Sequence, residues 1–392
     1  MRKKILFYMQ VPFLDVNLEF IKYIKTSYDL HILIELPTTQ LKANILNLSV
    51  DLNQLDAIVS YWDIAEKWKL TYLAEFFEGC SSVGFVIYTA NKQLTNLYNT
   101  TKAVIKFINT QNFNWFHFDD FSARQAFLLP FINAQKKLVL NIHDPSPHKG
   151  EFEWKRYLIK KLFYKKVTFF ITFSNFSKIE LSRHLGPNSK IFVYKLLPYT
   201  VYKKFKTVKQ ECVKEEEKYI TFFGRLSAYK GIDILLMAII DILKEFPNQK
   251  FLVAGRATFG YTPNFKQLGN ALQSVSIIER HLSNEEISNL LANSKLVVCP
   301  YVEATQSGVI MTAYALNCPV LVTNIGGLAE YVMNDVTGLI ADEITKEGIV
   351  AKIKEFLNKG LYQQMNSNLQ ENYFKQGSEK HNLNVIKAIY NC

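Results

Sequence analysis

A turn in the second half of the chain carries two cations. Arg225 and Lys230 follow the apolar, strand-like stretch Tyr219–Phe223. A guanidinium can bind phosphate oxygens with two parallel hydrogen bonds, and an ammonium adds a compact positive charge. The pair therefore predicts an anion site, and a diphosphate is an anion that two fixed cations at one turn would suit.

A later segment supplies a carboxylate and then small residues. Glu303 precedes Ser307 and Gly308, and a helix is predicted at 309–316. The unpaired N–H groups and the dipole of a helix N terminus favour negative charge, so this segment extends the predicted diphosphate site. The carboxylate is better suited to holding sugar hydroxyls. Together the two segments predict a nucleotide-sugar as the ligand.

Four motifs follow one another in the second half of the chain. They are Gly224-Arg225-Leu226-Ser227-x-Tyr229-Lys230-Gly231-Ile232-Asp233, Glu303-x-x-x-x-Ser307-Gly308, Gly326-Gly327-x-x-Glu330 and Thr337-Gly338-Leu339. This order resembles the C-terminal half of retaining glycosyltransferases of family 4, and His143-Asp144-Pro145 extends the resemblance into the first half. The resemblance implies an α/β protein of the GT-B fold, in which two Rossmann-like doubly wound domains face each other across a cleft.

The resemblance also implies catalytic roles for four side chains. Arg225 and Lys230 would stabilise the charge of the departing nucleoside diphosphate. Glu303 would contact hydroxyls of the donor sugar, and His143 would reach towards that sugar from the first domain. A lone histidine at a strand end is also a common structural residue, so both interpretations of His143 stay open.

The remaining donor contacts are expected from the main chain and from the rim of the second domain. The predicted donor-binding residues are Gly224, Ser307, Gly308, Val309, Gly255 and Arg280. The chain departs from the family pattern at Met311, where a second glutamate usually binds the ribose. Since a thioether is a weak acceptor, we expect weaker ribose discrimination, and Met311→Glu would test that expectation.

The acceptor side is expected in the first domain. Gln10, Asp144 and His148 are its candidate residues, although the glycine-rich loop that the family often has after the first strand is missing here. Asp119-Asp120 lacks the Asp-x-Asp spacing of a metal-dependent site and is interpreted as a solvated turn. We therefore expect no metal and no cofactor, with the nucleotide-sugar as substrate.

Length and composition indicate two globular domains. The chain has 392 residues, of which 48% are hydrophobic and 21% charged, which is ordinary for folded domains. The predicted parts are an acceptor-side domain at 1–200, a linker at 201–218, a nucleotide-sugar-binding domain at 219–377 and a last helix at 378–392 that packs back on the first domain.

Strand and helix patterns alternate along both halves, which favours parallel sheets. The predicted strands are 4–8, 30–34, 57–60, 83–88, 115–118, 138–142, 168–173, 219–223, 250–254, 275–278, 296–299, 320–323 and 339–341. The predicted helices include 62–77, 95–109, 175–185 with Ser174 as its N-cap, and 284–292 with the capping box Ser283/Glu286.

The net charge of +11 is concentrated in residues 149–209, which hold fifteen Lys or Arg against three acidic residues. Such a patch suits an anionic membrane surface, an acidic polymer or a solvated face. The segment 151–166 mixes these cations with Trp154, Leu158 and Leu162, and it could lie on a bilayer or pack on its own sheet. The expected partners are a nucleotide-sugar donor, a lipid-linked or polysaccharide acceptor and an anionic membrane surface, without nucleic acid.

Other features bear on location. The short apolar run after Met1 is broken by Gln10 and Pro12, so a buried first strand is favoured over a signal peptide. Five cysteines without a Cys-x-x-Cys pair indicate a reducing compartment. The protein is therefore expected in the cytoplasm, with a peripheral position on the inner face of the membrane as one possibility.

Three other function classes fit the sequence less well. A nucleotide-sugar epimerase of the same fold would need acid–base groups in the cleft, where only Glu303 and His143 are candidates. A basic nucleic-acid-binding protein rests on the charged patch alone. A dinucleotide oxidoreductase lacks the Gly-x-Gly-x-x-Gly turn after its first strand. The donor sugar, nucleotide base, acceptor, linkage, pathway and oligomeric state are not determined by the sequence.

Overall fold

The computed structural model describes residues 2–90, 93–132, 137–146, 154–186, 188–206, 214–258 and 260–391. The chain divides into two compact α/β units. The first unit comprises Met1–Phe173, Lys178–Lys195 and His381–Cys392, and the second comprises Ser174–Ser177 and Leu196–Lys380. The predicted pair of doubly wound α/β domains is confirmed.

The first unit is built on an eight-stranded sheet in the order β3-β4-β2-β1-β5-β6-β7-β8, with only β3 antiparallel to its neighbour. Its strands are β1 Lys4–Gln10, β2 Asp29–Pro37, β3 Ile58–Ser60, β4 Ser82–Tyr88, β5 Trp115–Asp119, β6 Lys137–Asn141, β7 Phe169–Thr172 and β8 Lys190–Val193. Its helices are α1 Leu14–Ile24, α2 Tyr61–Ile64, α3 Ala74–Phe77, α4 Gln93–Gln111, α5 Ala123–Ala126 and α6 Trp154–Lys166, and α7 Asn175–Ser182 begins in the second unit and ends in the first.

The second unit is built on a six-stranded parallel sheet in the order β11-β10-β9-β12-β13-β14. Its strands are β9 Tyr219–Phe223, β10 Phe251–Ala254, β11 Val275–Ile278, β12 Ser294–Cys299, β13 Val320–Thr323 and β14 Gly338–Ala341. Its helices are α8 Ile232–Glu245, α9 Asn284–Ala292, α10 Gly308–Ala315, α11 Lys346–Asn358 and α12 Tyr362–Gln370, and α13 Tyr373–Tyr390 runs on into the first unit.

Each predicted strand corresponds to an observed one, because strands covered on both faces are nearly continuous apolar runs. The edge strand β8 was not predicted. The predicted helix at 62–77 is wrong: α2 ends at Ile64 and α3 begins only at Ala74. Lys69 between them has a φ of 55°, a left-handed conformation that ends a helix. The amide of Leu70 donates to the carbonyl of Ala65 at 2.7 Å and closes that turn.

In both sheets the strand order reverses direction beside the first strand of the unit. In the second sheet this switch point lies between β9 and β12, and in the first sheet it lies between β1 and β5. Side chains after these strands meet at the carboxyl edge of the sheet, which is where open α/β sheets bind ligands. The fold therefore brings the loops after β9 and β12 together, and it does the same for those after β1 and β5.

The segment predicted as a linker begins with packed residues. Thr200–Phe205 forms a 3-10 helix in which Val201 and Tyr202 are buried, and Ser288 donates from its hydroxyl to the carbonyl of Tyr202 at 2.8 Å. Residues 207–213 lie outside the described part. These contacts attach the first part of the segment to α9.

The last turns of α13 are packed within the first unit. The hydroxyl of Tyr390 donates to Nδ1 of His117 at 2.7 Å, and the side-chain amide of Asn382 donates to the carbonyl of Lys195 at 2.8 Å. Burial lowers the pKa of His117 to about 4, so the imidazole is neutral and Nδ1 can accept this bond. In the described part of the chain, no helix has both the length and the apolar character needed to cross a bilayer.

Candidate active site

The floor of the site in the second unit is main chain. A Cβ at Gly255, which follows β10, would lie 1.7 Å from the carbonyl oxygen of Gly224, which follows β9. Gly255 also has a φ of 151° and Gly224 a φ of 124°, so neither position favours a side chain. The two strand ends can therefore approach each other closely.

The loop after β9 lies directly against the loop after β12. Gly231 has a φ of 65°, and a Cβ there would lie 1.8 Å from the carbonyl oxygen of Pro300. The neighbouring ammonium of Lys230 lies 3.8 Å from the centroid of the Tyr301 ring. Tyr301 is fully buried, and its hydroxyl lies 3.3 Å from that of Ser307. The aromatic ring thus fixes the direction of the cation.

Arg225 is oriented by the same pair of loops. Its Nη2 donates to the hydroxyl of Tyr229 at 2.9 Å. The carbonyl of Tyr229 accepts from the amide of Val302 at 2.9 Å, so the residue before Glu303 is bonded to the loop that carries both cations. The structure therefore brings Arg225, Lys230 and the Glu303 loop together at the switch point between β9 and β12.

Helix α10 begins where the resemblance places the phosphate-binding amides. Ser307 is its N-cap and Gly308 its first residue. A Cβ at Gly308 would meet the ring of Tyr199 at 3.3 Å, so a larger residue would be crowded there. Val309 follows and is partly exposed. The N terminus of this helix lies on the same loop as Glu303.

Two further glycines pack closely against the main chain of the Glu303 loop. A Cβ at Gly326 would lie 1.7 Å from the carbonyl oxygen of Ala304, and one at Gly327 would lie 2.3 Å from that of Thr305. The motif's Glu330 points elsewhere, since its carboxylate accepts from the backbone amides of Asn175 and Phe176 at 2.7 and 2.9 Å. This part of the motif supports the loop and caps α7.

Arg280, a predicted donor-binding residue, is engaged with a neighbour. Its Nη1 and Nη2 donate to the two carboxylate oxygens of Glu286 at 2.9 and 2.6 Å. The hydrogen bonds from Arg280 and from Ser283 lower the pKa of Glu286 to about 2, and Ser283 and Glu286 form the predicted capping box of α9. The guanidinium of Arg280 therefore stabilises the start of α9 through Glu286. A role of Arg280 in donor binding stays a prediction.

Met311, which stands where the family pattern has a second glutamate, does not face the site. It is fully buried within α10, and its carbonyl accepts from the amide of Tyr199 at 3.2 Å. The methionine side chain packs in the core of the second unit, so it is not exposed to a ligand.

His143 is enclosed in the first unit. Only 2% of its surface is exposed, and its ring stacks on that of Phe13 with centroids 3.7 Å apart. Its Nε2 donates to Asp119 at 2.8 Å. Burial lowers the pKa of His143, but the carboxylates of Asp119, Asp120 and Asp144 outweigh it and raise the pKa above its ordinary value. Contact with a donor sugar would require Phe13 to move, and that role stays a prediction.

The interpretation of Asp119-Asp120 as a solvated turn is wrong. Both carboxylates are buried, at 0% and 2% exposure. Asp119 ends β5 at the switch point and also accepts from Asn17 at 2.6 Å, and Asp120 pairs with Arg156 at 2.7 Å. Asn17 on α1 and Arg156 on α6 supply these contacts, so protein groups instead of water satisfy the two carboxylates.

The predicted acceptor-side residues are placed unequally. The side-chain amide of Gln10 donates to the carbonyl of Asp119 at 3.0 Å, so Gln10 joins the same switch point. Asp144 follows His143 and is partly exposed. His148 lies outside the described residues. Asp15 on α1 was not singled out from the sequence, and burial raises its pKa to about 6.

Within the described ranges, no three His, Cys, Asp or Glu side chains are grouped as a metal site would require. The sequence assigned no role to Tyr229 and Tyr301 of the second unit, which contact the two cations. The signal that could have found them is an aromatic residue inside a charged motif or shortly before one. The sequence alone does not distinguish such a ring from an aromatic residue of the core.

Comparison with solved structures defines the class of fold. The chain is similar to Anabaena Alr3699/HepE in complex with UDP-glucose, with a TM-score of 0.64 and 17% identity over 99% of this chain and 100% of that one. It is also similar to a putative UDP-N-acetylglucosamine 2-epimerase from Listeria monocytogenes, with a TM-score of 0.55 and 12% identity over 93% and 91% of the chains. The fold is GT-B, as predicted.

Sequence comparison identifies the second unit more narrowly. Residues 203–376 match the family described as "Glycosyl transferases group 1", so this segment is similar to the domains of that family. The chain is 26% identical over 194 residues to the "Putative glycosyltransferase YtcC" of Bacillus subtilis (strain 168), a match that covers 47% of this chain and 48% of that protein. The matched region thus spans about half the length of this relative.

The buried position of Met311 gives a prediction about stability. We expect Met311→Glu to lower the free energy of unfolding by about 3 kcal/mol or more, because the new carboxylate has to be buried or protonated. Denaturant unfolding would measure this. Met333→Glu is the matched control, since Met333 is 42% exposed. An unchanged stability together with tighter donor binding in Met311→Glu would contradict the burial argument.

Proposed function

We propose that this protein is a retaining glycosyltransferase that moves a hexosyl group from a nucleotide-sugar to a hydroxyl of a lipid-linked or growing polysaccharide acceptor. The observation that carries the proposal is the juxtaposition of Arg225, Lys230 and the N terminus of α10 above a floor of main chain. Fixed cations and amide dipoles suit a pyrophosphate, and the nearby Glu303 suits the sugar attached to it.

These groups favour departure of the diphosphate. In the transfer, the bond from the anomeric carbon to the phosphate oxygen breaks as a bond from that carbon to the acceptor oxygen forms. Arg225 and Lys230 stabilise the negative charge that develops on the leaving group. The acceptor proton passes to the leaving phosphate, and attack on the same face of the sugar retains the configuration, as the resemblance to family 4 implies.

UDP-glucose is the donor to test first. The structurally similar HepE protein was solved with UDP-glucose, and that likeness supports the choice without extending to the acceptor. The chemistry of the site residues also suits UDP-glucose, because they offer contacts to a diphosphate and to sugar hydroxyls.

Donor turnover should depend on the two cations. We expect Lys230→Ala and Arg225→Ala each to slow the release of UDP from UDP-glucose by roughly 100-fold, since each removes a charge aimed at the leaving group. The assay follows UDP by chromatography over a panel of nucleotide-sugars. Lys244→Ala is the control, because Lys244 pairs with Asp241 on the surface of α8. Equal rates in all three variants would refute the assigned role of the cations.

The same assay separates transfer from epimerisation. The likeness to a putative epimerase keeps that alternative within the fold. An epimerase would convert the sugar while the nucleotide-sugar persists or re-forms. A transferase would instead pass the sugar to an acceptor or to water and release UDP irreversibly. Recovery of an epimerised nucleotide-sugar without a sustained excess of UDP would favour the alternative.

Activity should not require a divalent metal. Arg225 and Lys230 supply the positive charge that a metal would otherwise bring to the diphosphate. We expect UDP release to continue at an unchanged rate in excess EDTA, measured against the same protein in Mg²⁺ or Mn²⁺. Complete loss of turnover in EDTA with recovery in Mn²⁺ would contradict this expectation.

We further propose that α6 rests on an anionic membrane surface. Its apolar stripe is exposed: Trp154 is 62%, Leu158 51% and Leu162 55% accessible to solvent. Several of its cations bond inward to the first unit, where Arg156 pairs with Asp120 and Lys166 donates to the carbonyl of Leu129 at 2.7 Å.

The outward side of α6 combines this stripe with further cations. Lys161 lies 4.6 Å from the centroid of the Tyr157 ring, and Lys155 and Lys165 are also exposed. Apolar side chains between lysines are typical of helices that lie in the bilayer interface, where the stripe enters the acyl boundary and the ammonium groups meet anionic headgroups. This arrangement supports a peripheral position beside a lipid-linked acceptor.

Binding to vesicles should depend on the exposed apolar stripe of α6. We expect the protein to co-sediment with phosphatidylcholine vesicles that contain phosphatidylglycerol, less strongly at high salt, and we expect Leu158→Glu to weaken binding about tenfold or more. Ile179→Glu on α7 is the matched control, because Ile179 is 56% exposed outside α6. Equal binding of both variants, or no binding to anionic vesicles, would remove the membrane proposal.

A further inference from the structure

A cavity lies at the carboxyl ends of β2 and β4 in the first unit, and residues that follow β5 complete its wall. Its volume is about 310 Å³, and Thr38, Thr39, Tyr88, Asn96, Arg124 and Phe127 are among the residues that line it. This volume is at the lower end of the roughly 300–1,000 Å³ that small-molecule sites occupy. The cavity therefore suits a compact ligand.

A buried acid fixes the guanidinium in the wall. Glu35 is 2% exposed, and its two oxygens accept from Nη1 of Arg124 at 2.8 Å and from the hydroxyl of Ser122 at 2.9 Å. The guanidinium carbon of Arg124 lies 4.9 Å from the centroid of the Tyr88 ring. Since one third of the Arg124 side chain is exposed, the pair presents a rigid set of N–H donors to the cavity.

The charge of this wall disfavours an anion. Arg124 is the one cation among the described residues that line the cavity, and Glu35 compensates it. A phosphate would have to compete with a buried carboxylate that holds the same guanidinium. A neutral ligand with several hydroxyl groups can bond to Arg124 without competing with the charge of Glu35.

The remaining wall offers hydroxyls, an amide and an aromatic face. Thr38 donates from its hydroxyl to the carbonyl of Tyr88 at 3.2 Å, and Oδ1 of Asn96 accepts from the amide of Thr89 at 3.0 Å. These bonds orient both side chains at the rim. Phe127 is 53% exposed beside them, so an apolar surface adjoins the polar groups.

We propose that this cavity binds a neutral pyranose unit of the acceptor. A pyranose has hydroxyls that donate and accept at its edge, which fit Arg124, Thr39 and Asn96, and it has an apolar C–H face that packs on an exposed ring such as Phe127. The assignment rests on the proposed glycosyl transfer for calling the ligand an acceptor. The binding itself is independent of the site in the second unit.

The test measures sugar binding directly on the full chain. The probes are the methyl α- and β-glycosides of glucose, galactose, mannose and N-acetylglucosamine, titrated singly and followed by saturation-transfer difference NMR. At least one glycoside should bind, and Phe127→Ala and Thr39→Val should each weaken it roughly fivefold or more. Both side chains are exposed, so these variants avoid leaving Glu35 unpaired as an Arg124 variant would.

Phe131→Ala is the matched control, since Phe131 is 55% exposed and does not line the cavity. It should bind the glycoside as the parent protein does. Thermal unfolding of every variant checks the fold, and calorimetric titration with UDP reports the second unit separately. UDP binding should be the same in all variants.

Three results would overturn the assignment: no glycoside binds, the Phe127 and Phe131 variants lose affinity equally, or inorganic phosphate displaces the glycoside. If UDP binds while every glycoside fails, the cavity assignment falls and donor binding stands. If a glycoside binds in the expected variant-dependent way and no nucleotide-sugar is turned over, the sugar site is supported and the proposed transfer is refuted.

Discussion

The carbonyl of Pro300 and the main chain at Gly231 meet at a distance that no side chain could share, and the candidate active site depends on this contact. The strand order makes β9 and β12 neighbours at the switch point, so the loops that follow them emerge side by side. Because glycine can adopt a left-handed conformation there, the loop can turn at once into α8. Lys230 then lies over the ring of Tyr301 on the opposite loop. The chemistry of the site follows from this backbone geometry.

The equivalent point of the first unit is organised in the opposite way. There the polar groups bond to one another: Asn141 donates to Asp119 at 3.2 Å and accepts from His117 at 2.7 Å, and His117 in turn accepts from Tyr390. A buried network of this kind has its hydrogen bonds satisfied and so specifies one packing of the strand ends. The second unit places two cations against aromatic side chains at its switch point, whereas the first encloses its acids and imidazoles.

The sequence was sufficient for the parallel strands and for the order of the charged motifs, because both depend on local patterns. It was insufficient where long-range packing decides. The sequence predicted a solvated turn at Asp119 and Asp120 because their partners Asn17 and Arg156 are distant in the chain. The helix predicted over 62–77 failed because the left-handed turn at Lys69 carries no glycine to signal it. The direction of the apolar stripe on α6 could not be known until Phe163 was seen to be the buried residue of that helix.

A binding floor built from Gly224 and Gly255 has a consequence for redesign. The amides of Gly224 and Gly255 already donate to the carbonyls of Ala254 and Ile278 at 3.0 and 2.9 Å, so under the proposed function this floor offers a shape and no side-chain selectivity towards the sugar. Selection among different sugars or bases would then depend on the surrounding side walls, where Val302, Gln306 and Val309 retain some exposure. Libraries intended to change the accepted donor should vary those walls and leave the two glycines untouched.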